Sequence, residues 1–206
     1  MRVKLCGLPD LRALRYAAEA RPDAIGLVFA SSVRQVQPED AADLLAIVPD
    51  TVERWAVFRT PDPATLRAIA HLPLTGVQAD ATWDGAGLPA GWAFLPVFPD
   101  GPDLLDRVRA AGFAGHPRAA RGLADAFLVD GPSGGGRGQP ADWDRAAKAA
   151  RLGPLVLAGG LTPATVAAAI RAVRPWAVDV SSGTESAPGL KDPDLLRAYA
   201  AAARGA

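Results

Sequence analysis

The sequence predicts an α/β fold, a (β/α)8 TIM barrel in which residues 1–206 form one domain. Three observations predict it: eight short apolar runs recur along the chain, helical segments separate most of them, and the last two runs each end in a turn of small residues. Continuous rather than alternating apolar runs mark parallel strands covered on their outer face, and eight of them favour closure over an open sheet. The 206 residues suit such a barrel, which commonly takes roughly 200 or more.

The strand-like runs are Val3–Cys6, Ala24–Phe29, Trp55–Phe58, Leu74–Gln78, Ala93–Phe98, Phe127–Asp130, Leu155–Ala158 and Ala177–Val180. Between them, Ala41, Leu44, Leu45 and Val48, and again Val166, Ala169, Ile170 and Val173, follow the i, i+3, i+4, i+7 spacing of one-sided helices. Pro38, Pro63 and Pro163 stand where first helical turns begin, and Gly112 is a C-cap after Leu104, Leu105 and Val108. The fourth unit breaks the pattern. Residues 79–91 hold three glycines and a proline, so the helix after strand 4 is short or absent. Leu123 and Ala124 continue a short helix before strand 6.

Lysine plus arginine and aspartate plus glutamate both number 22, so no basic excess points to nucleic acid and any anion recognition is local. The apolar stretch before Gly7 and Pro9 is too short for a secretory segment, and nothing approaches the roughly 18 apolar residues of a membrane span. A single cysteine, Cys6, forms no internal disulfide and fits a reducing compartment. The expectation is a cytoplasmic enzyme or binding protein without a membrane or nucleic-acid partner.

Barrel enzymes draw their chemistry from the C-terminal ends of several strands. There the sequence offers Cys6, Asp130, Asp179 and, in the loop after strand 2, Arg34. A free cysteine is by default a small hydrophobe and an aspartate after a strand a turn former. At a barrel mouth, however, a thiolate serves as a base, and a carboxyl above an apolar strand keeps a raised pKa and serves as an acid. Arg34 suits a substrate carboxylate, which a guanidinium grips with two parallel hydrogen bonds. Gly159 and Gly160 after strand 7, and Ser181, Ser182 and Gly183 after strand 8, lie where barrels commonly build a phosphate site. A phosphorylated small molecule is therefore the expected partner. His71 and His116 stand apart, without a second ligand at metal spacing, and the five tryptophans read as packing. The run Gly134 to Gly138 lacks the lysine end of a P-loop and reads as a mobile loop over the site.

These residues resemble phosphoribosylanthranilate isomerase of tryptophan biosynthesis over the whole chain. The resemblance rests on Lys4-Leu5-Cys6-Gly7, Ala24 to Phe29 followed by Ser32-Val33-Arg34, Ala56-Val57-Phe58, Val77-Gln78, Leu128-Val129-Asp130, Gly135 to Gly138 ahead of Asp142-Trp143, Leu157 to Leu161, and Val178 to Glu185 leading to Pro188 to Asp192. It implies an Amadori rearrangement of N-(5-phosphoribosyl)anthranilate to 1-(2-carboxyphenylamino)-1-deoxyribulose 5-phosphate, with no cofactor and no metal. It implies Asp130 as general acid, Cys6 as general base, Arg34 on the anthranilate carboxylate, Asp179 near the sugar hydroxyls, Gln78 in the substrate site, and the two small-residue turns on the phosphate. The state of assembly it leaves open is a monomer or a homodimer. The chain departs from the family in reading Gln78-Ala79-Asp80-Ala81 where Gln-Leu-His-Gly is usual, in Pro9, and in Gly131 after Asp130.

Two rivals differ in class. An isomerase of the histidine-pathway type performs a similar step with two aspartates and has two internally similar halves, whereas this chain has Cys6 in place of the first aspartate and no such halves. A non-catalytic phosphosugar-binding barrel needs the turns but has no reason to keep both Cys6 and Asp130.

Overall fold

The computed structural model describes residues 1–114, 122–134 and 138–206. Eight parallel strands close into a barrel in sequence order: β1 (Arg2–Cys6), β2 (Ala24–Val28), β3 (Glu53–Val57), β4 (Gly76–Asp80), β5 (Ala93–Pro99), β6 (Phe127–Asp130), β7 (Leu155–Leu157) and β8 (Ala177–Val180), with β8 pairing back onto β1. Helices α1 (Leu11–Glu19), α2 (Ala41–Ala46), α3 (Pro63–Ile69), α4 (Leu104–Ala110), α5 (Trp143–Ala149), α6 (Val166–Val173) and α7 (Pro193–Arg204) follow strands 1, 2, 3, 5, 6, 7 and 8. No helix follows β4, whose connection to β5 is made of turns. A two-stranded antiparallel hairpin, β9 (Glu185–Ala187) and β10 (Leu190–Lys191), precedes α7.

The helices bury the stripes their spacing predicts: Ala41, Leu44 and Leu45 on α2, and Val166, Ala169, Ile170 and Val173 on α6. Pro63 occupies the first turn of α3, whereas Pro38 and Pro163 lie in turns just ahead of α2 and α6. The short helix expected at Leu123 and Ala124 is a single 3-10 turn, Leu123–Asp125, just before β6. His116 and residues 135–137 of the expected loop over the site lie outside the described residues.

The fourth strand sits two residues later than the apolar run Leu74–Gln78 suggests. Leu72 and Leu74 are buried, but as a connector, while ladder pairing runs from Trp55 with Gly76 to Asp80 with Val97. Burial without pairing reads as strand in a sequence. Polar Asp80 belongs to the strand because it faces the mouth of the barrel.

Period-two alternation separates two apolar cores. One fills the barrel, with Trp55, Leu95, Leu128 and Val156 among its members; the other lies between strands and helices and includes Leu5, Ile25, Val77, Phe127 and Tyr199. Fully burying each such side chain contributes about 1.5–3 kcal/mol, so these layers hold the strand ends, and the side chains on them, in place. At the β5 end, buried Asp100 accepts from Arg145 Nε at 2.6 Å and Nη2 at 3.0 Å and from the Asp142 amide at 2.8 Å, tying the start of α5 to the barrel rim.

Candidate active site

A cavity of about 400 Å³ opens at the C-terminal mouth of the barrel. Every site residue expected from the sequence lines it: Cys6, Arg34, Gln78, Asp130, Gly159, Gly160, Asp179, Ser181, Ser182 and Gly183. The common cause is strand geometry, since these residues end or closely follow strands whose alternate positions face the barrel axis.

Cys6 ends β1 and is buried. Burial pushes its thiol above the usual range, the nearby Lys4 ammonium pulls it down, and the Asp179 carboxylate raises it further. Lys4 lies two residues earlier on the same face, fully buried, and donates to Asp179 Oδ1 at 3.0 Å. Gly26, paired with Cys6 on β2, leaves room for both: a Cβ there would lie 2.8 Å from Cys6 Sγ and 3.2 Å from Lys4 Nζ.

Three strands further round the ring, Asp130 ends β6. Burial raises its carboxyl to about 6, against a hydrogen bond from the Gly131 amide at 2.8 Å that favours the charged form. A minority of molecules therefore still holds that proton at pH 7.

Arg34 is already engaged. Its Nε and Nη2 meet Glu185 Oε1 and Oε2 at 2.6 and 2.7 Å, and Lys191 Nζ reaches the same carboxylate at 3.0 Å and the Ser181 carbonyl at 2.7 Å. Burial tends to raise the Glu185 carboxyl, but Arg34 and Lys191 outweigh it and hold the group below its ordinary value. Among the described residues, Arg34 Nη1 has no hydrogen-bond partner, so one edge of the guanidinium remains for a ligand.

The two turns lie against each other and against the loop after β6. Gly159 and Gly160 have φ of +84° and +62°, conformations that favour glycine. A Cβ on Gly160 would stand 2.7 Å from the Gly138 carbonyl, and one on Gly183 only 1.9 Å from the Leu161 carbonyl. Close backbone packing thus requires these glycines, whatever the turns bind. Among the described residues, the amides of Gly160, Ser182 and Gly183 have no backbone partner.

Sequence reasoning missed Lys4, Glu185, Lys191, Arg59 and Asp80. The last two sit side by side at the mouth; burial raises the Asp80 carboxyl and Arg59 opposes the rise. Gln78 Oε1 is buried without a hydrogen-bond partner among the described residues. The described residues hold no cluster of His, Cys, Asp or Glu that could take a metal ion, and no helix long and apolar enough to cross a membrane.

A cavity at the C-terminal mouth of a closed parallel barrel, walled by a thiol, a carboxyl of raised pKa and two tight turns, is the arrangement of a (β/α)8-barrel enzyme. Comparison with known proteins narrows the class. The sequence pattern of N-(5'phosphoribosyl)anthranilate (PRA) isomerase matches residues 112–202. N-(5'-phosphoribosyl)anthranilate isomerase of Roseiflexus sp. (strain RS-1) is 43% identical, over 99% of this chain and 98% of that protein. Among solved structures, phosphoribosyl anthranilate isomerase from Thermotoga maritima superposes with a TM-score of 0.83 at 30% identity over all of both chains. Another phosphoribosyl anthranilate isomerase, in complex with reduced 1-(o-carboxyphenylamino)-1-deoxyribulose 5-phosphate, gives 0.80 at 30% identity, also over all of both chains. The chain belongs to the N-(5'-phosphoribosyl)anthranilate isomerase family, and is an isomerase of tryptophan biosynthesis.

Proposed function

We propose that Asp130 and Cys6 share the acid–base work of the Amadori rearrangement of N-(5-phosphoribosyl)anthranilate. Asp130 gives its proton to the furanose ring oxygen as the C1–O bond breaks, and the anthranilate nitrogen supplies the electrons for a Schiff base. Cys6, as thiolate, then takes the proton from C2; the C–H electrons form a C1–C2 double bond, and the nitrogen recovers its pair. Tautomerisation of this enaminol, with loss of the C2 hydroxyl proton and protonation of C1, yields the ketose. No external oxidant or cofactor enters the balance. The carrying observation is that Cys6 and Asp130, three strands apart, face one cavity together with both turns. The assay is loss of phosphoribosylanthranilate fluorescence on adding purified protein; no loss beyond the spontaneous rate would overturn the reading. On this reading the chain acts as one domain in the cytoplasm, as a monomer or homodimer, with a small phosphorylated substrate and no nucleic acid or membrane partner.

In this reading Glu185 aims Arg34, whose free edge takes the anthranilate carboxylate, while Gln78 and Asp179 meet the polar parts of the substrate. A carboxylate clamp holds ground and transition states alike. Arg34→Ala is therefore expected to raise KM with little change in kcat, by about 1.5–3 kcal/mol of lost charged hydrogen bonding. Glu185→Gln, which loosens the aim, raises KM in the same direction by less. An analogue lacking the ring carboxylate checks the assignment: wild type and Arg34→Ala must then perform alike.

The unpaired amides of Gly160, Ser182 and Gly183 suit a phosphate dianion. Because Gly160 and Gly183 are needed for packing, enlarging them would damage the turns themselves. Ser182→Asp is the cleaner probe, since it puts a negative charge beside those amides without filling a glycine position. Competition by inorganic phosphate is expected to weaken at least about tenfold, because like charges side by side disfavour binding. Unchanged competition would place the phosphate elsewhere.

A further inference from the structure

We infer that Lys4 is the positioning residue of the base: its buried ammonium, shared between Asp179 and Cys6, holds the negative charge that the Cys6 sulfur must carry to accept a proton. The inference deepens the reading of Cys6 as base and rests on it.

An ammonium has three donors and no acceptor. Asp179 Oδ1 takes one at 3.0 Å, and the Cys6 sulfur lies close enough to this fully buried group to take another. A charge so placed is costly to desolvate unless it is compensated. The second compensating group is on the same strand. Lys4 Nζ and Cys6 Sγ converge on one point, the empty Cβ position of Gly26, at 3.2 and 2.8 Å. The sulfur is thus at most about 6 Å from the ammonium in a cavity wall of low dielectric, where a unit charge acts far more strongly than in water.

The charged groups that face Cys6 can be named element by element. Lys4 comes from β1 and Asp179 from β8; Lys191 reaches in from β10 and Arg34 from the loop after β2, each coupled electrostatically to the thiol. Asp130 faces the same cavity from β6, and β2 contributes only Gly26 and Val28. Arg34 and Lys191 are both committed to Glu185, which offsets their positive charge. Of the cations that face the sulfur, Lys4 favours its thiolate most, and Asp179 works against it by favouring the neutral thiol.

The two members of the ion pair therefore push the thiol in opposite directions, and the test uses that contrast. The chain has a single cysteine, so thiolate absorbance near 240 nm and alkylation by iodoacetamide both report Cys6 alone. In Lys4→Met the titration midpoint is expected to rise by at least about 1 in pH, a tenfold loss of thiolate at fixed pH. In Asp179→Asn it is expected to fall, because the ammonium then has the sulfur as its main counter-charge. A titration unchanged in Lys4→Met would overturn the inference. So would movement of both variants in one direction, which is the mark of general structural damage. Should Lys4→Met fail to fold, Lys4→Gln takes its place, with the same upward shift expected and its absence overturning the proposal. The titration needs no turnover, so a wrong reading of Cys6 as base would show separately, as an active Cys6→Ser enzyme beside intact shifts.

Discussion

Asp130→Asn is expected to lower kcat at pH 7 by at least about 100-fold while substrate binding changes less than tenfold, because asparagine keeps the shape of the acid but has no transferable proton. The pH profile gives a sharper result than the rate at one pH. Asp130 titrates at about 6, whereas burial holds the Cys6 thiol above its ordinary range. Between those two values the predominant enzyme form has the acid ionised and the base protonated. On the proposed assignment the working form, with protonated Asp130 and ionised Cys6, is a minority throughout.

For such a pair the bell-shaped profile of kcat/KM keeps its two limbs, but their assignment is exchanged. The acidic limb near 6 belongs to Asp130. Below it, each further fall in pH removes thiolate without adding protonated acid, and the rate drops; above it, the gain in thiolate is cancelled by the loss of protonated acid, and the rate levels. The basic limb belongs to Cys6. Asp130→Asn removes the cancelling term, so its residual rate must climb with pH through 6 and on towards the thiol pKa. A variant that still levels near 6 would assign that limb to another group, the substrate phosphate being the obvious one, with a second ionisation near 6.

Much of this arrangement is legible in the residues alone, for a physical reason. Strands buried on both faces must be apolar throughout, so their ends are visible where polarity or glycine returns, and a barrel puts its chemistry at those ends. Cys6, Asp130 and Asp179 are found by that rule. The eroded unit after β4 was equally legible in its glycines and proline, since neither supports a helix interior. What the sequence hides is pairing across distance. Lys4 lies inside an apolar run, and nothing local says that its partner is Asp179, 175 residues away. Arg34 looks like a free loop cation until the β9–β10 hairpin brings Glu185 against it, with Lys191 on the same carboxylate. Four N-caps, Asp10, Asp62, Asp142 and Asp192, also escape a reading based on apolar spacing, though each accepts from an amide in its helix's first turn. The glycines of the two turns were legible as turns but not in their purpose, which is packing of backbone on backbone.

Cys6→Ser is expected to cost at least as much as the loss of the acid, again about 100-fold or more in kcat with substrate binding nearly unchanged. The two side chains differ by one atom and fill nearly the same space, so neither the strand nor the cavity wall has to move. They differ in acidity. Even with burial raising it, the thiol reaches its thiolate within a range that Lys4 brings down, while a serine hydroxyl beside the same ammonium stays protonated at any working pH. On the proposed assignment serine therefore leaves ring opening by Asp130 intact and stops the reaction before C2 is deprotonated. The expected signature is a variant that binds substrate and still exchanges no C2 hydrogen with solvent, read by loss of deuterium from substrate labelled at C2. Exchange at the wild-type rate in Cys6→Ser would move the base to another residue of the cavity, and the neighbouring carboxylate Asp179 would be the first to examine.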